Sequence, residues 1–142
     1  EYLCIVKGVL REKKHIKGYL YKDTKQNKVA IYKQKQKEAQ PIETVYEPLE
    51  DNGEVTLLKV GLITGRTHQI RVHMNHIGHP LPGDYLYNPD YRLIKRQALH
   101  SCRLTFCHPI SGKPMDFTAP IPDDFKTFAC GCVELHQYAD NG

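Results

Sequence analysis

The sequence lacks any uninterrupted run of about 20 apolar residues, the length that a membrane-spanning helix requires. Its first residues, EYLCIVKG, show neither the basic start nor the small-residue cleavage site of a secretory signal peptide. We therefore expect a protein with no membrane partner. At 142 residues with 40% apolar side chains, the chain has the size of about one domain and enough apolar residues for a core.

A regular cysteine pattern is also missing. The chain has five cysteines at irregular spacing, namely Cys4, Cys102, Cys107, Cys130 and Cys132. An odd count of this kind argues against a disulfide framework and indicates a reducing compartment, so we expect a cytoplasmic protein. The spacings of the Cys102/Cys107 and Cys130/Cys132 pairs are poor for zinc, and buried or idle thiols explain them better.

Acidic residues are absent between Glu54 and Asp84. The interval nevertheless holds seven basic or imidazole side chains, which are Lys59, Arg66, His68, Arg71, His73, His76 and His79. A metal site, an RNA-binding surface and a single strong partner from elsewhere in the molecule are three explanations for such a cluster. The overall charge adds a weak indication of a polyanionic partner, because residues 1–37 carry a net +8 and the remainder −4. A solvated basic loop explains that asymmetry equally well.

Residue periodicity predicts a mixed α+β domain with a mainly antiparallel sheet and one short central helix. EYLCIVKG is typical of a strand covered on both faces. A basic excursion follows, with β-leaning pieces at residues 16–21 and 28–32 that suggest a minor hairpin. Asn52-Gly53 indicates a hairpin between two further strands, and ALHSCRLTFCHP and GKPMDFTAP indicate another around ISGK.

The central helix is predicted from Ile70, Met74 and Ile77, which fall at i, i+4 and i+7 and so form one apolar stripe. Thr64 or Thr67 can cap its start, and Gly78 followed by a proline can end it. IPDDF can begin a last short helix, whereas the tail at 129–142 has no period and receives no assignment.

A metal site in the cluster is the weaker explanation. His73, His76 and His79 are spaced at i, i+3 and i+6, but Gly78 ends the predicted helix before His79. No HExxH pattern accompanies them, and no carboxylate base for zinc catalysis is near in sequence. A helix start at Gly-Arg-Thr offers free N–H groups to a phosphate, although any single histidine here is more simply a surface or packing residue.

Arg71 is the most informative member of the cluster. It follows Ile70 directly and so lies at the border of the buried stripe. An arginine at such a position is seldom buried without a carboxylate or phosphate for its guanidinium. The acid-free interval supplies none, so we expect the partner to come from another part of the protein or from a ligand.

Four segments in order resemble the RluA-type RNA pseudouridine synthases. LITGRTHQIRVHMNHIGHPLPGD is similar to the central motif of that family, EYLCIVKG to its tyrosine-bearing strand, QPIETVYEPLE to the strand before the central one, and ALHSCRLTFCHPISGKPMDFTAP to its closing hairpin. The resemblance covers residues 1–128. It implies the C-terminal part of a catalytic domain of the pseudouridine synthase fold.

The resemblance also implies a chemistry and a set of residues. A uridine is flipped out of RNA, its glycosidic bond is broken, and the base is rejoined through carbon 5, with no cofactor or metal. Tyr2 corresponds to the tyrosine that stacks on the base and Arg71 to the arginine that pairs with the nucleophilic aspartate. Further expected RNA contacts are Arg66, Thr67, His68, Gln69, His73 and Phe117, the last as the apolar residue under the base.

One element of the family pattern is absent from the sequence. The nucleophilic aspartate of the family lies in a motif such as HRLDxxTSG, upstream of the tyrosine strand, and no such motif occurs here. The resemblance assigns Asp84 to the following loop and not to the nucleophile. We therefore expect an N-terminally truncated catalytic domain that is inactive by itself, with ribosomal or transfer RNA as its partner. A non-catalytic RNA-binding module of the same fold and a zinc-stabilised interaction domain are the alternatives.

Overall fold

The computed structural model of the chain describes residues 1–23, 25, 28–35, 37–66 and 68–128. In this part the strands are β1 (Tyr2–Lys7), β2 (Lys14–Asp23), β3 (Lys28–Tyr32), β4 (Gln40–Asp51), β5 (Val55–Leu62), β6 (Leu99–Ser101), β7 (Arg103–Cys107) and β8 (Pro114–Thr118). The helices are α1 (Gln69–His76) and α2 (Asp123–Phe128). The tail that the sequence left unassigned lies outside the described residues.

Six of these strands form one sheet in the order β3-β2-β4-β5-β1-β6, and each neighbouring pair is antiparallel. The turn between β4 and β5 contains Asn52 and Gly53, whose φ of 89° suits glycine. The Asn52-Gly53 dipeptide predicted the hairpin correctly because a tight turn between two strands needs a residue that tolerates a positive φ. Together with the short central helix, the sheet confirms the predicted α+β fold with mainly antiparallel strands.

The two faces of the sheet are covered differently, which follows from the alternation of side chains along each strand. On one face, Cys4, Val6, Leu58 and Val60 pack against α1. On the other face, a second set of side chains packs against Ile94, Ala98, Ile121 and Phe125, and its members are Leu3, Ile5, Val55 and Leu57. The central strands β1 and β5 are thus buried on both sides, as the apolar run in EYLCIVKG predicted.

Helix α1 buries its stripe as predicted, since Ile70 is 4% and Met74 0% exposed. Its end is also as predicted, because Gly78 follows with a φ of 89°. The predicted start is wrong for Thr64, whose hydroxyl accepts a hydrogen bond from the N–H of Glu43 and donates one to Gln69 Oε1. His68 occupies the N-cap position without a side-chain cap. Thr67, the other candidate cap, lies outside the described residues.

Strands β7 and β8 form a separate two-stranded sheet. It is joined to the main sheet at its base, where the carbonyl of Glu1 accepts the N–H groups of Cys102 and Arg103. Leu104, Phe106 and Phe117 of this hairpin are exposed. Within the described ranges, no helix has the length and apolar character needed to cross a membrane.

Candidate functional site

Arg71 of α1 and Asp84 of the following loop form a buried ion pair with two parallel hydrogen bonds. Arg71 Nε donates to Oδ2 at 2.7 Å, and Nη2 donates to Oδ1 at 2.8 Å. The Arg71 side chain is 7% exposed and that of Asp84 0%. Charge-assisted bonds in this forked arrangement fix the planes of both groups. The pair therefore holds the loop against the helix.

The sequence had left the partner of Arg71 open. The residues suggested another part of the protein or a ligand, and the resemblance pointed to the catalytic aspartate. In the structure the partner is Asp84, 13 residues further along the chain. The guanidinium carries five N–H donors on three nitrogens, and Asp84 accepts from Nε and Nη2. Nη1 is therefore outside the pair.

Asp84 is placed by the geometry of its own loop. Gly83 precedes it with a φ of 77°, and a Cβ atom at this position would overlap the backbone carbonyl of Arg96. The carboxylate Oδ1 of Asp84 also accepts the backbone N–H of Leu86 at 3.0 Å and of Tyr87 at 3.3 Å. Glycine is thus the residue that lets the chain pass close to Arg96 and present Asp84 to Arg71.

The surroundings keep both members of the pair charged. Burial alone would raise the pKa of the Asp84 carboxyl, but hydrogen bonds from Arg71 and from the N–H groups of Leu86 and Tyr87 outweigh it, so the pKa lies below its ordinary value. The hydrogen bond to Asp84 raises the pKa of Arg71. The guanidinium carbon also lies 5.3 Å from the ring centre of Tyr85, within the range of a cation–π contact.

Gln69 and His73 have their side chains turned into the protein. Gln69 Nε2 donates to the hydroxyl of Thr44 at 3.0 Å and to the carbonyl of Glu43 at 2.9 Å. The same hydroxyl is 2.9 Å from His73 Nδ1. Gln69 is 2% and His73 1% exposed. Burial, helped by the nearby His76, lowers the pKa of His73 to about 4.

These contacts give Gln69 and His73 a structural role that the sequence did not indicate, although Gln69 also lines the pocket beside Arg71. Both are committed to hydrogen bonds that attach α1 to β4, and the low pKa keeps His73 neutral near pH 7. Their sequence neighbours could not reveal this, because Thr44 is 25 residues away from Gln69 and 29 from His73. A period of 3.6 places residues 69 and 73 on the side of the buried residues 70 and 74, which was the one available signal.

A pocket of about 270 Å³ opens beside Arg71 at the N-terminal end of α1. It brings together several residues predicted for the site, because Tyr2 from the start of β1 and Arg66 and His68 from the loop before α1 lie along its wall. Its apolar lining consists of Leu62, Ile70 and Leu99. The pocket combines an aromatic ring, an apolar floor and cations, which suits a planar base attached to a phosphate backbone.

His68 has an unusual position in this pocket. Its φ of 55° lies in the left-handed region, and its Nδ1 is buried with no hydrogen-bond partner in the described part of the chain. Burial and the nearby Arg71 lower the pKa of its imidazole. A neutral imidazole with one unsatisfied nitrogen is available to a bound molecule.

Two predicted site residues among the described ones, His73 and Phe117, do not line this pocket. Thr67 lies outside the described residues. Phe117 is on the β7–β8 hairpin, 52% exposed, and its ring stacks on that of Phe106 with centres 6.0 Å apart. The structure therefore does not bring Phe117 to Tyr2 and Arg71. Leu62 and Leu99 provide apolar surface there instead, and sequence reasoning missed them because each belongs to a strand whose register was not known.

The three spaced histidines are not arranged as a metal site. His73 is buried on Thr44, His76 is exposed, and His79 Nδ1 is 2.8 Å from the carbonyl oxygen of Lys7. Across the described ranges, no group of three or more histidine, cysteine or acidic side chains is placed to hold a metal ion.

Comparison with known proteins identifies the family. The family model described as RNA pseudouridylate synthase matches residues 1–76, more than half of the chain, including Tyr2 and Arg71. The chain belongs to the RNA pseudouridylate synthase family. Within this family, an RNA pseudouridine synthase of Helicobacter pylori that carries the description "uncharacterized" is 39% identical over 128 residues, covering 89% of this chain and 48% of that protein.

A second relative is the "Ribosomal large subunit pseudouridine synthase D" of Haemophilus influenzae, 46% identical over 99 residues, covering 60% of this chain and 31% of that protein. Such relatives confirm the predicted RluA-type resemblance. Among solved structures, human RNA pseudouridylate synthase domain containing 1 superimposes with a TM-score of 0.73 at 26% identity, over 85% of this chain and 54% of that one. The chain thus spans less than half the length of the two curated relatives named here.

Proposed function

We propose that residues 1–128 form the C-terminal part of the catalytic domain of an RNA pseudouridine synthase that isomerises uridine in structured RNA. One observation carries the proposal, namely that Arg71, held by the buried Asp84, borders the same pocket as Tyr2. A forked cation and an aromatic ring at one pocket match the two roles that the family resemblance assigns to these residues. The 129–142 tail has no part in the proposal.

In the proposed reaction the target base is extruded from the RNA into this pocket, at a cost of about a few kcal/mol. Tyr2 stacks on the uracil, and Leu62 and Leu99 exclude water beneath it. The bond between the sugar carbon 1′ and N1 breaks, a bond from the same carbon to C5 forms, and the hydrogen on C5 leaves as a proton while N1 gains one. Arg66 and His68 contact the RNA at the pocket rim. The scheme requires no cofactor or metal.

The nucleophilic aspartate of this reaction comes from polypeptide outside these 142 residues. Asp84 is unsuited to the role, since it is fully buried and both of its oxygens face Arg71. Arg71 Nη1, which is outside that pair, is the group we assign to the incoming nucleophile. Asp84 then acts as a positioning residue that fixes the guanidinium plane. The 142-residue chain alone is accordingly inactive.

Ribosomal RNA is the proposed substrate class and transfer RNA the second choice. The support is that three relatives are each named ribosomal large subunit pseudouridine synthase D. A substrate of this kind fits a cytoplasmic protein.

Tritium release tests the proposal, because moving the glycosidic bond to C5 expels the hydrogen there. RNA carrying tritium at uridine C5 is incubated with the 142-residue chain and with a version extended upstream through an RLD-like motif. We expect release with the extended protein and none above background with the chain alone. Release by the chain alone contradicts the assignment of an external nucleophile, and no release by either contradicts the proposed reaction.

The Arg71 guanidinium is already paired with Asp84. This pairing favours a second candidate function, that of a non-catalytic RNA-binding module of the same fold. In such a module Arg71 is purely structural. Two results together support this alternative. The extended protein binds structured RNA in a salt-sensitive way but releases no tritium, and the Arg71→Lys substitution leaves its RNA affinity unchanged.

A further inference from the structure

A second cavity of about 370 Å³ lies next to the pocket that contains Tyr2 and Arg71. It is lined by Leu20, Tyr21, Lys22, Glu38, Gln40 and Arg66. Arg66 lines both cavities, so the two are neighbours across this side chain. The volume falls in the range of roughly 300–1,000 Å³ that is common for ligand sites.

The sheet topology explains why these residues meet. Leu20 of β2 is paired with Gln40 at the start of β4, which places Tyr21, Lys22 and Glu38 at the same end of the sheet. The end of β5 is paired with β4 beside them, and the loop that carries Arg66 follows from there. The cavity thus lies where the ends of β2 and β4 meet two loops, one carrying Glu38 and the other Arg66.

The charged side chains that line this cavity have no bonding partner among the described residues. In the described part of the chain, five arginines pair with an aspartate, and Arg66 has no carboxylate partner. The side chains of Lys22 and Glu38 likewise make no hydrogen bond or ion pair with any described residue, although the two line one cavity. Two cations and a carboxylate that have no partner among the described residues thus line one cavity beside the proposed target pocket.

This combination of groups suits a nucleotide. Lys22 and Arg66 suit a phosphate. The Glu38 carboxylate, with Gln40 beside it, accepts hydrogen bonds from an exocyclic amino group, which adenine, cytosine and guanine possess. Uracil has only N3–H between two carbonyl oxygens, and these oxygens are repelled by a carboxylate.

We propose that this cavity, which we call the flanking subsite, holds the RNA nucleotide next to the target uridine and selects a base with an amino group over uracil. Arg66 contacts the phosphate that joins the two nucleotides, since it borders both cavities. The inference rests on the proposed function, because it takes RNA as the substrate of the neighbouring pocket.

Binding of short RNAs tests the flanking subsite. The probes are fluorescein-labelled heptamers of sequence UUXUXUU, in which both X positions are A, C, G or U, and the readout is fluorescence anisotropy at several salt concentrations. For the unaltered chain we expect the A, C and G probes to bind about tenfold more tightly than the all-uridine probe, as is typical for one base-edge contact. Glu38→Ala should remove this preference.

The cationic residues should behave differently from Glu38. Lys22→Ala and Arg66→Ala should weaken all four probes alike and should lower the slope of log K against log salt by about 0.7 each. The matched control is Lys14→Ala, an exposed lysine on the same strand and face, eight residues or about 26 Å from Lys22. It should leave both affinity and preference unchanged. Circular dichroism confirms that each surface variant is folded.

The outcomes separate the subsite from the proposed function. RNA binding with no base preference, or with equal losses in Lys14→Ala and Lys22→Ala, overturns the subsite while RNA recognition stands. A preference for the all-uridine probe also overturns it. Absence of binding to every probe overturns the subsite together with the RNA interaction of this chain. Loss of preference in Glu38→Ala with a smaller salt slope in the two cation variants supports it.

Discussion

Replacing Asp84 by Asn should destabilise the protein strongly. The substitution keeps an oxygen for the N–H groups of Leu86 and Tyr87, but it removes the charge that faces Arg71, whose side chain is 7% exposed. Leaving one partner of a buried ion pair uncompensated costs about 3–5 kcal/mol. Because a domain has only about 5–15 kcal/mol of unfolding free energy, this is a large fraction of the total. The melting temperature should fall by roughly 10–20 °C.

The measurement is urea and thermal unfolding followed by circular dichroism. Asp90→Asn is the matched control, since Asp90 makes the same two-bond contact with Arg92 at 2.9 and 2.7 Å, while the Arg92 side chain is 90% exposed. An exposed pair of this kind contributes little, so the control should melt within error of the unaltered protein. Equal melting temperatures for Asp84→Asn and Asp90→Asn would refute the reasoning, because burial is then not what makes the Arg71 pair important.

The same pair predicts a dependence on pH. The pKa of Asp84 in the folded protein lies below its ordinary value, so the stabilisation is complete above the unfolded pKa of about 3.9. It is lost as the pH falls through the lower folded value. Unfolding free energy should therefore drop steeply below about pH 4 in the unaltered protein and less steeply in Asp84→Asn.

Two further predictions concern the residues that hold the site in place. The pKa of His73 is lowered to about 4, so the unfolded chain takes up a proton first as the pH falls from about 6.5. Its contribution should lower stability by on the order of 3 kcal/mol between these values, and His73→Gln should remove that part of the slope in pH-dependent urea unfolding while the part from His68, whose pKa is also lowered, stays. Gly83→Ala should lower the melting temperature more than Gly112→Ala, because both glycines have a positive φ but only at Gly83 does a Cβ atom meet the Arg96 carbonyl; equal losses would contradict the proposed close contact.

The extent to which the sequence predicted the fold depended on how local each feature was. The α1 stripe and the Asn52-Gly53 hairpin follow from residues a few positions apart, so periodicity and turn chemistry predicted both. The partner of Arg71 was missed because it depends on how the loop after Gly78 returns to the helix, which requires the left-handed backbone at Gly83. The absence of acidic residues between Glu54 and Asp84 does not reveal the path of this loop.

The buried roles of Gln69 and His73 were missed for a related reason. Both residues belong to the motif that suggested RNA binding, and polar side chains in such a motif were interpreted as RNA contacts. Their actual partner, Thr44, is on a strand far away in sequence. The residues of the motif that line the pocket are Arg66, His68, Gln69 and Arg71, and their positions follow directly from the start of α1.

The most direct test of the central claim, that Arg71 organises the site of a pseudouridine synthase, is the single-turnover rate of tritium release by the upstream-extended protein carrying Arg71→Lys. Lysine keeps the charge but cannot form the fork, so the orientation of the nucleophile should be lost. We expect a rate about 100-fold lower with RNA affinity unchanged, whereas the exposed control Arg92→Lys should retain the full rate. Equal rates for the two variants would contradict the account.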